Sequence, residues 1–244
     1  MIFVLSGEGP TDLGSCNNAQ GKCSGDDFDI GPMTVLIEQL VEHRVGYQLR
    51  KLPDQIYYLS EKALCEKAKG LPNRLLPARS KKKQAEMGYF YTNALVLGAF
   101  AKSIEAETDD SAIAVLFRDC DSTRSAKAGL WDTKRQAILD GFNRSQFDRG
   151  VPMLPKPTSE AWLLSAAQAQ PYQNCQNLED LPGNEASPNH PKTKLVAAFG
   201  AHKTRIELCE WLDENPFDPV RADAMPSFKA FRDRLDEVVL TVLH

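Results

Sequence analysis

The segment Ala112-Ile113-Ala114-Val115-Leu116-Phe117-Arg118-Asp119-Cys120-Asp121 constrains this chain more than any other. An unbroken apolar run ends abruptly in two carboxylates one residue apart. Residues i and i+2 of a strand share a face, so Asp119 and Asp121 can converge on one cation. Open α/β sheets put their ligand sites at the carboxyl ends of such strands. The amino terminus repeats the pattern: Ile2-Phe3-Val4-Leu5-Ser6 runs into Gly7-Glu8-Gly9. Three acids at two strand ends suggest a divalent-metal site.

The rest of the pattern supports an α/β fold. Residues 7–31 read as a polar, Gly- and Asp-rich segment. Pro32 suits a helix's first turn, and Met33, Leu36, Ile37, Leu40 and Val41 form one apolar stripe behind it. A strand at Gln55–Leu59, a short helix to about Ala68 and a long helix over 82–107 follow. After the Asp119/Asp121 strand come a helix from about Arg124 to Ser145 and a short strand at Val151–Leu154, whose proline puts it near an edge. Thr158 or Ser159 caps the next helix. Residues 169–190 read as an irregular surface loop, and two or three helices close the chain. The last carries Phe228, Phe231, Leu235, Val238, Val239 and Val242 on one side. The expected architecture is a Rossmann-like, mostly parallel sheet flanked by helices, with residues 1–168 as core and 169–244 as a helical extension packed on it.

Composition excludes some classes. The 244 residues carry 29 basic and 33 acidic side chains, a net charge of −4, so no global positive field advertises a polyanion. The opening apolar run lacks a basic flank and does not read as a signal peptide. The longest apolar stretch is too short for a membrane span. Six cysteines without a Cys-x-x-Cys pattern read as reduced thiols of a cytoplasmic protein, with a zinc site from Cys16, Cys23 and a distant histidine as the weaker alternative. Positive charge is nonetheless concentrated in 67–83, where Lys67, Lys69, Arg74, Arg79, Lys81, Lys82 and Lys83 stand without an acid among them. That run is a candidate phosphate-gripping surface, and Arg118 and Arg124 beside the Asp-x-Asp pair are candidates to orient a phosphate.

Glu8, Asp119 and Asp121 together offer the hard oxygens that Mg²⁺ or Mn²⁺ prefers, while leaving coordination positions for water and phosphate. Gly7-Glu8-Gly9-Pro10-Thr11-Asp12 after the first strand, with Asp119-Cys120-Asp121 after a later one, resembles the Toprim domain of topoisomerases, primases and several nucleases. The resemblance implies a Toprim-like fold, with Glu8 as metal ligand or acid/base group and both aspartates as metal ligands. Pro155-Lys156-Pro157-Thr158-Ser159-Glu160-Ala161-Trp162-Leu163-Leu164 is similar to a segment of small Toprim-like proteins of bacterial and phage-defence genes. It is also placed like the Ser-x-x-Glu segment of the overcoming-lysogenisation-defect nucleases, with Pro157 where those have serine. By that likeness Glu160 joins the metal site, and Lys192 or Lys194 is the nearest match to a downstream catalytic lysine.

The expected function is a metal-dependent nuclease acting on DNA in preference to RNA. Nucleic acid would be its partner, joined by a separate ATPase or defence-system subunit, with homo-oligomers compatible and no membrane involved. Two alternatives compete. Asp119-Cys120-Asp121-Ser122-Thr123 matches the Asp-x-Asp-x-Thr motif of haloacid-dehalogenase-type phosphatases, in which Asp119 would be the nucleophile. A non-catalytic nucleic-acid-binding subunit is the other.

Overall fold

A computed structural model describes residues 1–72, 82–120 and 130–243, apart from the side chains of residues 53 and 82–86. Its strands are β1 (Ile2–Gly7), β2 (Gly14–Cys16), β3 (Lys22–Ser24), β4 (Phe28–Ile30), β5 (Ile56–Leu59), β6 (Ala112–Phe117) and β7 (Gly150–Met153). Its helices are α1 (Pro32–Val45), α2 (Glu61–Lys69), α3 (Lys82–Thr108), α4 (Leu130–Arg144), α5 (Ser159–Ala167), α6 (Pro191–Phe199), α7 (Arg205–Glu214), α8 (Pro219–Ala222) and α9 (Pro226–Leu243).

The main sheet runs β3-β5-β1-β6-β7, with β1 at its centre. β1 pairs parallel with β6 from Ile2 opposite Ala112 to Gly7 opposite Phe117, and parallel with β5 on its other side. β7 continues the parallel set at an edge, where Pro152 costs no inner ladder bond, and β3 adds an antiparallel edge beyond β5.

Strand alternation divides the interior in two. Phe3, Leu5, Ile113, Val115 and Phe117 face a core built with α1, α5 and the C-terminal helices. Ile2, Val4, Ala112, Ala114 and Leu116 face a second core built with α2, α3 and α4. Both faces are therefore covered by helices, and this is why β1 and β6 are apolar without interruption. The chain passes from β1 to β5 through α1 on the first face, then back across to β6 through α2 and α3 on the second. The winding reverses at β1, so the carboxyl ends of β1 and β6 bound the crevice where open α/β sheets place their ligands.

The C-terminal helices share the first core rather than forming their own. Trp162 of α5 stacks on Phe231 at 5.6 Å between ring centroids and meets Phe228 edge-on at 5.3 Å. Its indole N–H donates to the Ser227 hydroxyl at 2.9 Å. Arg50 ties α7 to α1 by donating to Asp213 while pairing with the buried Glu38 carboxylate. No helix among the described residues is long and apolar enough to cross a membrane.

Several local expectations are corrected. The polar segment 7–31 carries structure of its own: β2 and β4 pair antiparallel, and β3 reaches the main sheet. Cys16 and Cys23 are not reduced thiols but a disulfide, which also removes the zinc alternative. The Asn18 side-chain oxygen accepts from the backbone N–H groups of Gln20 and Gly21, closing a turn that brings the two cysteine Cα atoms to 5.7 Å. Cys65, Cys120, Cys175 and Cys209 form no disulfide among the described residues. Residues 169–190 include a 3₁₀ helix at Cys175–Asp180, with Cys175 and Glu179 buried. Glu179 accepts from both the backbone and the hydroxyl of Ser227, so that stretch is anchored and not merely superficial.

Candidate functional site

Two loops and one helix end meet at the crevice. After β1 the chain turns through Glu8 and Gly9, whose φ of 69° is one that glycine adopts without steric cost. Asp12 is then fixed by the start of α1: Met33 N–H donates to its backbone carbonyl at 3.0 Å, and the Thr34 hydroxyl donates to that of Leu13 at 2.6 Å. A Cβ on Gly31 would fall 2.2 Å from the Asp12 carbonyl oxygen, so this close approach requires glycine.

After β6, residues 118–120 continue alongside the segment following β7. Arg118 N–H donates to the Met153 carbonyl and Cys120 N–H to that of Pro155, both at 3.0 Å. Alternation along an extended chain turns the intervening Asp119 N–H the other way, towards β1. There Glu8 Oε1 accepts it at 2.5 Å.

The amino-terminal end of α5 completes the junction. Ser159 N–H donates to Asp119 Oδ1 at 2.8 Å, and its hydroxyl donates to Asp12 Oδ1 at 2.6 Å. One residue thus holds two carboxylates at the positive end of a helix. Thr158 occupies the cap position, but its hydroxyl makes no capping bond.

Negative charge is crowded here. Burial pushes the Asp119 carboxyl well above the usual carboxylate range, and the nearby Asp12, Glu160 and Glu8 push it further; the Ser159 N–H opposes them. Burial also raises Asp12, with Glu160 adding to the effect, while hydrogen bonds from Ser159 and Thr11 and the charge of Lys192 counter it. Such a cluster is relieved either by protons or by a cation.

Not every expected residue joins this cluster. Glu160 is partly buried and lines a cavity of about 130 Å³ beside Asp12 and Ser159. Lys192 lines it too, with its ammonium 3.9 Å from Glu185. Lys194 is not among the lining residues; its backbone N–H continues α6 by donating to His190. Arg118 is not at the surface as a phosphate-orienting residue would be. It is 1% exposed, its guanidinium lies 5.1 Å from the centre of the Tyr89 ring and 3.8 Å from Glu61, and among the described residues its three nitrogens make no hydrogen bond. Burial lowers its pKa, and the charges of Glu8 and Glu61 oppose that shift. Asp121, Arg74, Arg79, Lys81 and Arg124 lie outside the described residues, as do the side chains of Lys82 and Lys83.

Sequence reasoning missed Asp12 and Ser159 as members of the cluster. Asp12 ends the Gly7–Asp12 motif and Ser159 precedes Glu160, but only the fold shows that each faces a strand end far away in sequence.

The cluster's carboxylate oxygens are donors of the kind a hard cation prefers. Among the described residues, no three potential ligands already stand together as a metal-holding group. No protein-family model, curated protein or solved structure matches the chain.

Proposed function

We propose that this protein is a divalent-metal-dependent nuclease of the Toprim type, hydrolysing nucleic-acid phosphodiester bonds with DNA preferred over RNA. What supports the reading is the repulsion that Asp12, Glu160 and Glu8 exert on the Asp119 carboxyl at the carboxyl ends of β1 and β6. Holding like charges this close together is costly, and the raised Asp12 and Asp119 carboxyls show that the hydrogen bonds from Ser159 and Thr11 and the charge of Lys192 offset it only in part. A metal ion would remove that cost. Asp119 and Glu8, with Asp121 and Glu160, would hold Mg²⁺ or Mn²⁺, which when bound supplies Lewis acidity at a phosphate and lowers the pKa of water.

The chain's own groups have distinct tasks. Ser159 orients the Asp119 and Asp12 carboxylates through its N–H and hydroxyl. Glu8, tethered to the Asp119 backbone, would take up or deliver a proton at the scissile phosphate. Lys192, at the rim of the adjoining cavity, offers positive charge to a phosphate oxygen. A cytoplasmic setting is part of the proposal, although the Cys16–Cys23 disulfide weighs against it.

The test incubates the purified protein with plasmid, single-stranded DNA and RNA in Mg²⁺ or Mn²⁺, beside Glu8→Ala and Asp119→Ala. Cutting that needs metal and disappears in both variants is expected. Equal cutting by the variants would sink the assignment, and a phosphoaspartate trapped at Asp119 would favour the phosphatase alternative instead.

A further inference from the structure

The cavity beside the acid cluster is lined by both signs of charge: Asp12 and Glu160, with Ser159 beside them, and Lys192, His202 and Lys203. Leu163, Leu195 and Phe199, the last residue of α6, also line it. Arg205 also lines it but is committed elsewhere, donating to Ser15, to the Pro10 carbonyl and to Asp29. Lys203 stands 5.2 Å over the Phe199 ring, so cation and aromatic are adjacent.

This arrangement matches the parts of one nucleotide. The apolar and aromatic lining suits a base; lysines suit a phosphate; the acids are where the backbone would be cut. A recessed cavity of about 130 Å³ suits one base turned out of its stack. We infer that the cleft between the loop after β1 and α6 receives a single unpaired nucleotide of a nucleic-acid strand, its base against Leu163, Leu195 and Phe199 and its phosphates against Lys192 and Lys203. The protein therefore selects single-stranded or locally opened nucleic acid, since a stacked, paired base cannot enter. The claim that the strand is cut rests on the proposed function; the claim that it binds does not.

Fluorescence anisotropy of a labelled oligothymidylate, with calcium present, tests this in the full-length protein. The parent should bind the single strand more tightly than a hairpin duplex of equal length. Lys192→Glu and Lys203→Glu, both at solvent-accessible positions, should weaken binding and each reduce the slope of log affinity against log salt by about one. Val196→Trp, which fills the cavity from α6, should abolish the single-strand preference while Lys229→Glu on α9 leaves it intact. Thermal melts near the parent's exclude misfolding as the cause. The inference fails if the three cleft variants bind like the parent, if duplex binds equally well, or if free thymidine monophosphate displaces the strand at equal affinity. Cleft-dependent binding without cutting in Mg²⁺ or Mn²⁺ would sink the nuclease reading alone. Cutting indifferent to Lys203→Glu and Val196→Trp would sink this inference alone.

Discussion

Glu8 and Asp119, separated by 111 positions in sequence, are joined by a hydrogen bond of 2.5 Å from the Asp119 backbone N–H to Glu8 Oε1. The bond crosses the crevice between the two central strands and latches the loop after β1 to the loop after β6. It uses a carboxylate oxygen and a main-chain donor, so it fixes the position of Asp119 without neutralising its side chain.

That latch separates stability from chemistry at position 8. Glu8→Gln keeps an oxygen that can accept the Asp119 N–H, whereas Glu8→Ala leaves the donor without it. A charge-assisted hydrogen bond contributes about 1.5–3 kcal/mol. Glu8→Ala should therefore melt several degrees below the parent and Glu8→Gln close to it, while both lose metal-dependent cutting. Differential scanning fluorimetry with a cleavage assay checks the pair; a Gln variant that cuts normally would remove Glu8 from the chemistry.

Asp119 should behave as a liability in the metal-free protein. Its folded pKa lies above the unfolded value of 3.8, so its contribution to stability is fully present below 3.8 and is lost as pH rises through the higher folded value. Asp119→Asn retains an acceptor for the Ser159 N–H and removes the charge. In EDTA at neutral pH its melting temperature should exceed the parent's, and the gap should close on acidification. A gap that widened in acid would reverse the assigned sign.

Cation binding should stabilise the parent by relieving the same repulsion. A ligand at one hundred times its Kd adds about 2.7 kcal/mol. Mg²⁺ or Mn²⁺ should raise the parent's melting temperature at neutral pH, less so as protons compete, and much less in Asp119→Asn and Glu160→Gln. Calcium or manganese titrations by calorimetry give an independent reading, and equal stabilisation of all three proteins would place the ion elsewhere.

Ser159→Ala removes the hydroxyl from Asp12 while leaving the backbone N–H on Asp119. The Asp12 carboxyl, already raised by burial, should rise further because its strongest opposing contact is gone. Loss of a hydrogen bond to a charged group costs about 1–3 kcal/mol. The destabilisation should shrink in acid, where a protonated Asp12 needs no donor. A pH series of melting curves measures it; a pH-independent loss would point to packing instead.

The link between α1 and α7 makes a prediction far from the crevice. Burial pushes Glu38 up to about 7, and Arg50 opposes the shift. The Glu38 contribution is thus fully present below 4.5 and is lost as pH rises through about 7. Arg50→Ala should raise Glu38 further and cost about 1–3 kcal/mol above neutrality, with little loss in acid; the figure is modest because Arg50 is about one-third exposed. Proteolysis that released the C-terminal helices from the variant at high pH would show how much this contact holds them.

Local pattern alone determined much of this protein. Uninterrupted apolar runs marked β1 and β6, three-to-four spacing marked α1 and α9, and the edge position of β7 followed from Pro152, because strand and helix periodicity are properties of neighbouring residues. The acids at the strand ends were visible for the same reason. Only tertiary structure decided that Ser159 bridges Asp12 and Asp119, that Arg118 is buried over Tyr89, and that Cys16 finds Cys23. Nor could the sequence reveal that α6–α9 complete a shared core rather than an added layer. Those outcomes depend on which distant segments the parallel sheet brings side by side, and no short stretch of chain carries that information.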